Sequence, residues 1–264
     1  MGLIFGAISP HPPLLIPNIG GKNIKQISAT KNALTELEQD LYASKPDTLL
    51  IISPHGSMSA ENFLLNVSAK YNLQFREFGD LATKKQFSGD VQIASHLQEA
   101  IEDQEIPIGL VNQPELDHGT GVPLYFLAEH LPDIKILPIS FSLLDLETHW
   151  RFGQAISQEI AKSEKRIAVI ASGDLSHRLN EGAPAGYSPQ GKKFDQKIIE
   201  LVKNQDGQGL LNLDPTMVEE AGECGLRSII ILLAIFADKN YQSKVLSYEG
   251  PFGVGYLVSS LLLK

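Results

Sequence analysis

The chain has 264 residues, 43% hydrophobic and 20% charged, which is ordinary globular composition and enough for one large domain with a well-buried core. The formal net charge is −9, from 22 basic against 31 acidic side chains, and the basic residues are scattered, as in Lys22/Lys25 and Lys192/Lys193. That balance offers no stripe for a phosphate backbone and argues against nucleic-acid binding, while the longest apolar run, residues 229–237, is too short to span a bilayer.

Short apolar runs alternate with segments of helical period, the pattern of a layered α/β domain. Residues 3–9 predict a buried strand. No basic segment precedes them, so they do not read as a signal peptide, and Gly6 stands where myristoylation requires Ser or Thr. Ile27, Leu34, Leu37 and Leu41 recur at helical spacing and Pro46 ends that helix. Residues 48–53 predict a second buried strand, residues 61–75 an exposed or antiparallel strand-like stretch, residues 93–101 a helix and residues 106–111 a strand.

The alternation continues with a helix over 122–131, a strand over 135–141, a helix over 144–160 and a strand over 166–171. Ser188-Pro189 reads as an N-cap with proline at the first helical position, opening a helix with Phe194, Ile198, Leu201 and Val202 on one face. Asp214-Pro215 repeats that signal. Residues 225–237 predict a buried helix, and residues 244–247 and 256–263 predict closing strands. No repeat or flexible linker divides the chain, so the expectation is a single domain over 1–264, a three-layer α/β/α sandwich around a mixed, largely parallel sheet. The lone cysteine, Cys224, excludes an intramolecular disulfide, and the expected compartment is the cytoplasm. The apolar C-terminal strand is a candidate for pairing across a homo-oligomer interface.

Chemistry collects where strands end. Two strands close with the same tetrapeptide, Ile8-Ser9-Pro10-His11 and Ile52-Ser53-Pro54-His55. A residue before proline is held extended, so Ser9 and Ser53 carry each strand straight to its histidine. In open α/β sheets that carboxyl edge forms the ligand crevice. A third strand runs into Ser172-Gly173-Asp174-Leu175-Ser176-His177, and Leu116-Asp117-His118-Gly119-Thr120-Gly121 is a glycine-rich loop before a helix. Four of the seven histidines thus fall on loops at one predicted edge, whereas His96, His130 and His149 read as ordinary helix residues, at the surface or partly buried.

Two neutral imidazoles and one anionic ligand, with open positions left over, make the facial triad of non-haem Fe(II) oxygenases. The anionic candidates lie in Glu219-Glu220-Ala221-Gly222-Glu223-Cys224-Gly225. Glu219 and Glu220 read as a solvated helical turn. Glu223 and Cys224 sit where a turn at Gly222 meets the last buried helix, whose N-terminus favours an anion.

These segments, in this order, resemble the class III extradiol ring-cleavage dioxygenases, the protocatechuate 4,5-dioxygenase-like group, and most the branch with Memo-like and AmmeMemoRadiSam-system proteins. The resemblance implies His11 and His55 as iron ligands, His118 and His177 as an acid/base pair, and Asp174 fixing orientation; beside it, Asp117 and Asp174 are candidates to orient those two rings through their second nitrogen. It implies Glu223 as third ligand, as in ring-cleaving members, with Cys224 competing because Memo-like proteins carry a cysteine in that region. The function implied is Fe(II)-dependent cleavage of a catecholic aromatic with O₂. The alternatives are a Memo-like metal-binding protein that recognises a partner or peptide, and a zinc hydrolase using the same ligands. Tyr187 and residues 252–256 are candidate pocket walls.

Overall fold

The computed structural model describes residues 2–264 and places ten strands of these in one sheet. Eight follow the order β4 (Lys70–Phe75), β5 (Asp80–Gly89), β7 (Lys135–Ser140), β2 (Thr48–Ser53), β8 (Arg166–Ser172), β1 (Gly2–Ser9), β10 (Tyr256–Leu263) and β9 (Tyr241–Glu249). The five from β5 to β1 are parallel neighbours, and β4, β10 and β9 add antiparallel pairs at the two ends. Off this path, β3 (Phe63–Asn66) pairs antiparallel with β7 and parallel with β6 (Ile108–Val111). The sheet is mixed and largely parallel, as the alternation of elements requires.

Strands buried on both faces are apolar at consecutive positions, because each face needs its own set. In β2, Leu50 and Ile52 enter the core shared with α3 (Val91–Glu102), α5 (Leu146–Lys162), α6 (Pro189–Asn204) and α9 (Leu226–Phe236). Leu49 and Ile51 face the opposite core, with α2 (Ser28–Ser44) and α4 (His118–Leu127). Every residue of α9 except Arg227 is buried. The outer helix α5 approaches it so closely at Gly153 that a Cβ there would stand 2.5 Å from the Ile231 carbonyl oxygen. Glycine is what that crossing requires.

β1 and β2 are not partners. β8 lies between them, in a register that pairs Ser9 with Ser172 and Ile52 with Ala171, so the three strands end level at one edge. The two Ile-Ser-Pro-His tetrapeptides therefore flank the loop that carries Asp174 and His177.

Several local expectations change. Residues 80–89 form β5, which buries only Asp80 and Phe87 and so carries no apolar signature. Helix α4 begins at His118 rather than at 122, because Asp117 caps it by accepting from the Thr120 amide at 2.9 Å, despite the glycines that follow. The C-terminal strand β10 is flanked by β1 and β9, so neither of its edges is open to a second copy. His149 is fully buried, with its ring nitrogens 2.7 Å from the Asp145 carbonyl and 3.1 Å from that of Ser142. His130 lies in a turn beyond α4 against Glu38, and His96 is exposed. Among the described residues no helix is long and apolar enough to cross a membrane.

At the opposite end of the sheet, Asp90 fastens three elements. It caps α3, accepts from Thr48 Oγ1 at 2.6 Å at the start of β2, and receives Lys165 Nζ at 2.7 Å just before β8. Burial pushes its carboxyl up, but the hydrogen bonds from Lys165, Thr48 and the Ile93 amide outweigh it and hold the group below the ordinary 3.8. Asp90→Ala is expected to cost about 3–5 kcal/mol, since it leaves a lysine and a hydroxyl unpaired. A group with a depressed folded value stabilises above the ordinary carboxylate range and loses that contribution as pH falls through the folded value. Urea denaturation of both proteins checks this: the gap should be full at pH 7 and shrink toward pH 2.

Candidate metal centre

His11 and His55 follow their strands across Pro10 and Pro54, and their Nε2 atoms come within 3.0 Å of each other. The rings stand nearly perpendicular, at 84°, with centroids 4.7 Å apart. His118, first residue of α4, stacks on His55 at a centroid distance of 4.2 Å. One ligand atom from each of the three histidines can be chosen so that all lie within 4.8 Å of one another. His11 is buried, His118 half-buried and His55 exposed. Burial first, then the neighbouring rings of His55, His118 and His177, hold His11 well below 6.5. Burial and His118 bring His55 down to about 4, and burial lowers His118 and His177 too. All four are neutral at pH 7, the state in which imidazole ligates a metal.

The surroundings of His11 are fixed on two sides. Its amide donates to Asp174 Oδ1 at 3.0 Å, and its Nδ1 lies 2.9 Å from Ser172 Oγ, whose hydroxyl bonds the Gly119 carbonyl. Asp174 thus orients the His11 backbone, not the His177 ring. Burial raises its carboxyl to about 7. Asp117 likewise serves backbone architecture, accepting from Ser53 Oγ at 2.6 Å and from the Thr120 amide. His177 donates its amide to the Ala221 carbonyl at 3.1 Å, while its Nδ1 is buried with no hydrogen-bond partner.

The two candidates for third ligand part company. Glu223, the expected one, turns away: its Oε2 accepts from the Leu226 amide at 2.6 Å, capping α9, and it lines a separate cavity with Leu211, Val218, Leu226 and Arg227. Burial lifts that carboxyl to about 7. Cys224 takes the inward direction, with Sγ 3.6 Å from His11 Nε2 and accepting from the Asp174 amide at 3.3 Å. The cause is steric. Gly173 and Gly225 cross so tightly that a Cβ on Gly173 would lie 2.2 Å from Gly225 Cα, which presses the start of α9 against the β8 loop and aims residue 224 at the histidines. The thiol is raised by burial and then by the Asp174 carboxyl, so the metal-free protein holds it protonated, and a bound cation would reverse that preference.

A pocket of about 630 Å³ opens beside His55 and His118. Its other walls are Gln74, Arg76, Gln113 and Glu115, supplied by the β4–β5 hairpin and the segment before α4. Glu115 is held by Asn72 at 2.8 Å and by Gln74. Phe78 stands edge-on to His118 at 5.2 Å. Nothing in the sequence marks these walls, because they sit on a polar hairpin and on the polar segment before α4. The expected wall residues lie elsewhere: Tyr187 is exposed outside this pocket, and the 252–256 stretch pairs its Gly253 and Gly255 backbone with the loop carrying His177.

That loop also rests on Asp195, fully buried, which accepts from the Ser176 amide at 2.8 Å and the Tyr248 hydroxyl at 2.6 Å. Burial raises its carboxyl from 3.8 to about 6. The unfolded chain releases this proton first, so the contribution of Asp195 to stability falls as pH rises from about 4 to about 6, by up to about 3 kcal/mol. Asp195→Asn keeps an acceptor for Ser176 and is expected to remove that decline. Denaturation midpoints of the two proteins should converge toward pH 4 and diverge above pH 6; parallel profiles would refute the assignment.

Residues 6–259 match the family described as the catalytic LigB subunit of aromatic ring-opening dioxygenase. The chain belongs to this family. Among its relatives, a protein of Clostridium acetobutylicum is 33% identical over 261 residues, covering 96% of this chain and 56% of that one, so the chain spans little more than half of that relative's length. The 2-aminophenol 1,6-dioxygenase beta subunit of a Pseudomonas species is 27% identical, covering 83% of this chain and 80% of that subunit. A MEMO1 family protein of Methanosarcina barkeri is 28% identical over 55% of this chain and 51% of its own length. In fold, the chain is similar to an uncharacterised protein of Escherichia coli K12, with a TM-score of 0.67 at 16% identity, covering 97% of this chain and 99% of that one.

Proposed function

We propose that the protein holds Fe(II) on His11 and His55, with Cys224 beside them, and opens a polar aromatic diol or aminophenol with O₂. The observation that carries this reading is the convergence of two neutral imidazoles, Nε2 to Nε2 at 3.0 Å, next to a pocket of ring-sized or larger volume. The donor set fits a divalent transition metal: two imidazoles and one thiol within reach, with space beyond them on the pocket side. Iron there supplies the one-electron chemistry of O₂ and a positive charge that favours a deprotonated ring hydroxyl.

The chain's own residues bind, orient and move protons. His177, neutral and electrostatically coupled to His55, is the acceptor for a proton from a bound hydroxyl. His118, also neutral, lies over His55 at the pocket floor, where it can hold or return a proton. Gln74, Arg76 and Gln113 offer hydrogen-bond donors to substituents on the ring. Only Leu116 contributes a sizeable aliphatic wall, which supports a substrate with polar groups around its ring.

A second reading has one specific observation behind it: Cys224, not Glu223, faces His11, with Asp174 Oδ2 3.9 Å from the same Nε2. A thiol in that position suits softer metals, zinc included, and supports a Memo-like metal protein without ring cleavage. Anaerobic reconstitution with Fe(II) or Zn(II), then titration with 4-nitrocatechol and an oxygen-electrode screen of catechols and 2-aminophenol, separates the readings. The first expects stoichiometric iron, a shifted nitrocatechol spectrum and oxygen uptake. Iron bound with neither response favours the second, and absence of any metal uptake removes both.

A further inference from the structure

Ser172 is fully buried at the last position of β8, one strand over from Ser9 and level with it. Its hydroxyl has one proton and two acceptor positions. The proton goes to the Gly119 carbonyl, in the first turn of α4. Toward His11 Nδ1, 2.9 Å away, Ser172 therefore has only a lone pair to offer. A contact of that length between ring nitrogen and hydroxyl oxygen is a hydrogen bond only if the nitrogen donates. A neutral ring whose single proton is held on Nδ1 leaves a bare lone pair on Nε2, the state in which that atom can ligate a metal. That Nε2 is the atom that meets His55 Nε2 at 3.0 Å and Cys224 Sγ at 3.6 Å.

We infer that Ser172 is a positioning residue that locks the tautomer of His11, keeping Nε2 unprotonated and aimed at the metal position. Resting as it does on the metal-site reading above, the lock explains an asymmetry in the pair. His11 is fixed at both its amide and its Nδ1, whereas among the described residues His55 shows no partner for its own Nδ1, and its ring is free to change tautomer when a cation arrives. Without the Ser172 acceptor, His11 can carry its proton on Nε2 and donate it to His55, closing the site with an internal hydrogen bond. The same hydroxyl ties His11 to the helix turn that bears His118, because Gly119 follows that histidine directly. Ligand orientation through the second ring nitrogen is a general determinant of metal affinity.

The test uses Zn(II), which is redox-silent and needs no substrate. Long-range ¹H–¹⁵N correlation of the metal-free, histidine-labelled protein is expected to show His11 protonated at Nδ1, a measurement that requires no variant at the serine. Ser172→Ala is expected to weaken Zn(II) binding by about tenfold to a hundredfold in chelator competition, with His11 shifting toward the Nε2-protonated form. Ser172→Thr, which keeps the hydroxyl, is expected to recover most of that affinity. An Nε2-protonated His11 in the wild-type protein overturns the lock, as does a folded Ser172→Ala variant that binds Zn(II) as tightly as wild type. Wild-type protein that takes up no Zn(II) fails the metal reading itself, which is a different result from either of these.

Discussion

Cys224→Ser is expected to lower Fe(II) affinity by about tenfold or more, while Glu223→Gln leaves it unchanged. Glu223 and Cys224 lie in the loop just before α9, where their side chains diverge. Cys224 faces the histidines, at 3.6 Å from His11 Nε2, and Glu223 is committed to the Leu226 amide on the far side of the same backbone. Glu223→Gln still leaves an oxygen to cap α9, so the protein keeps its fold and the comparison stays clean. Metal titration under anaerobic conditions, with each variant's unfolding transition recorded beside it, gives the answer. Retained iron in the serine variant with loss in the glutamine variant would require residues 222–225 to rearrange on metal binding. That outcome would restore the two-histidine, one-carboxylate triad.

The second large effect is on turnover. His177→Phe and His118→Phe are each expected to slow oxygen-dependent ring opening by roughly 10²–10⁴-fold while metal stays bound, if these rings move protons. For His177 the argument is a neutral ring electrostatically coupled to His55. For His118 it is neutrality and position: burial lowers its affinity for a proton, and it lies on His55 at the floor of the pocket. His118 is also one of the three histidines whose ligand atoms fall within 4.8 Å of one another, so its variant has a second informative result. Loss of iron in His118→Phe alone would make His118 a ligand and leave His177 as the proton acceptor. Oxygen uptake and iron content, measured on the same samples, distinguish these outcomes.

The metal reading and the ring-opening reading have different support. Convergence of His11 and His55 follows from geometry, and membership of the LigB family covers almost the whole chain. Substrate class rests on the polar walls contributed by the β4–β5 hairpin, which the relatives' names do not describe. Arg76, exposed at the mouth of that pocket, offers a charged group to any acidic substituent on the ring. A screen that varies the substituent while holding the diol constant addresses that wall directly.

What the sequence determined by itself is the set of strand-end histidines. An apolar strand followed by Ser-Pro-His needs no distant partner to be read, because proline restricts the residue before it and burial on both faces demands a continuous apolar run. The helix starts at Ser188-Pro189 and Asp214-Pro215 were legible for the same local reason: each cap bonds an amide two residues on, at 3.1 and 3.0 Å. How those pieces meet is set by packing between distant segments. The insertion of β8 between β1 and β2 is a matter of sheet order, set by packing across residues more than a hundred positions apart. The choice between Glu223 and Cys224 depends on the backbone crossing of Gly173 and Gly225, two glycines that carry no pattern of their own. The role of Ser172, the architectural duties of Asp117 and Asp174, and the polar hairpin walls all arise from hydrogen bonds between distant segments. Local sequence records the conformation of a segment; it does not record which distant group stands opposite, and a metal centre is made of such oppositions.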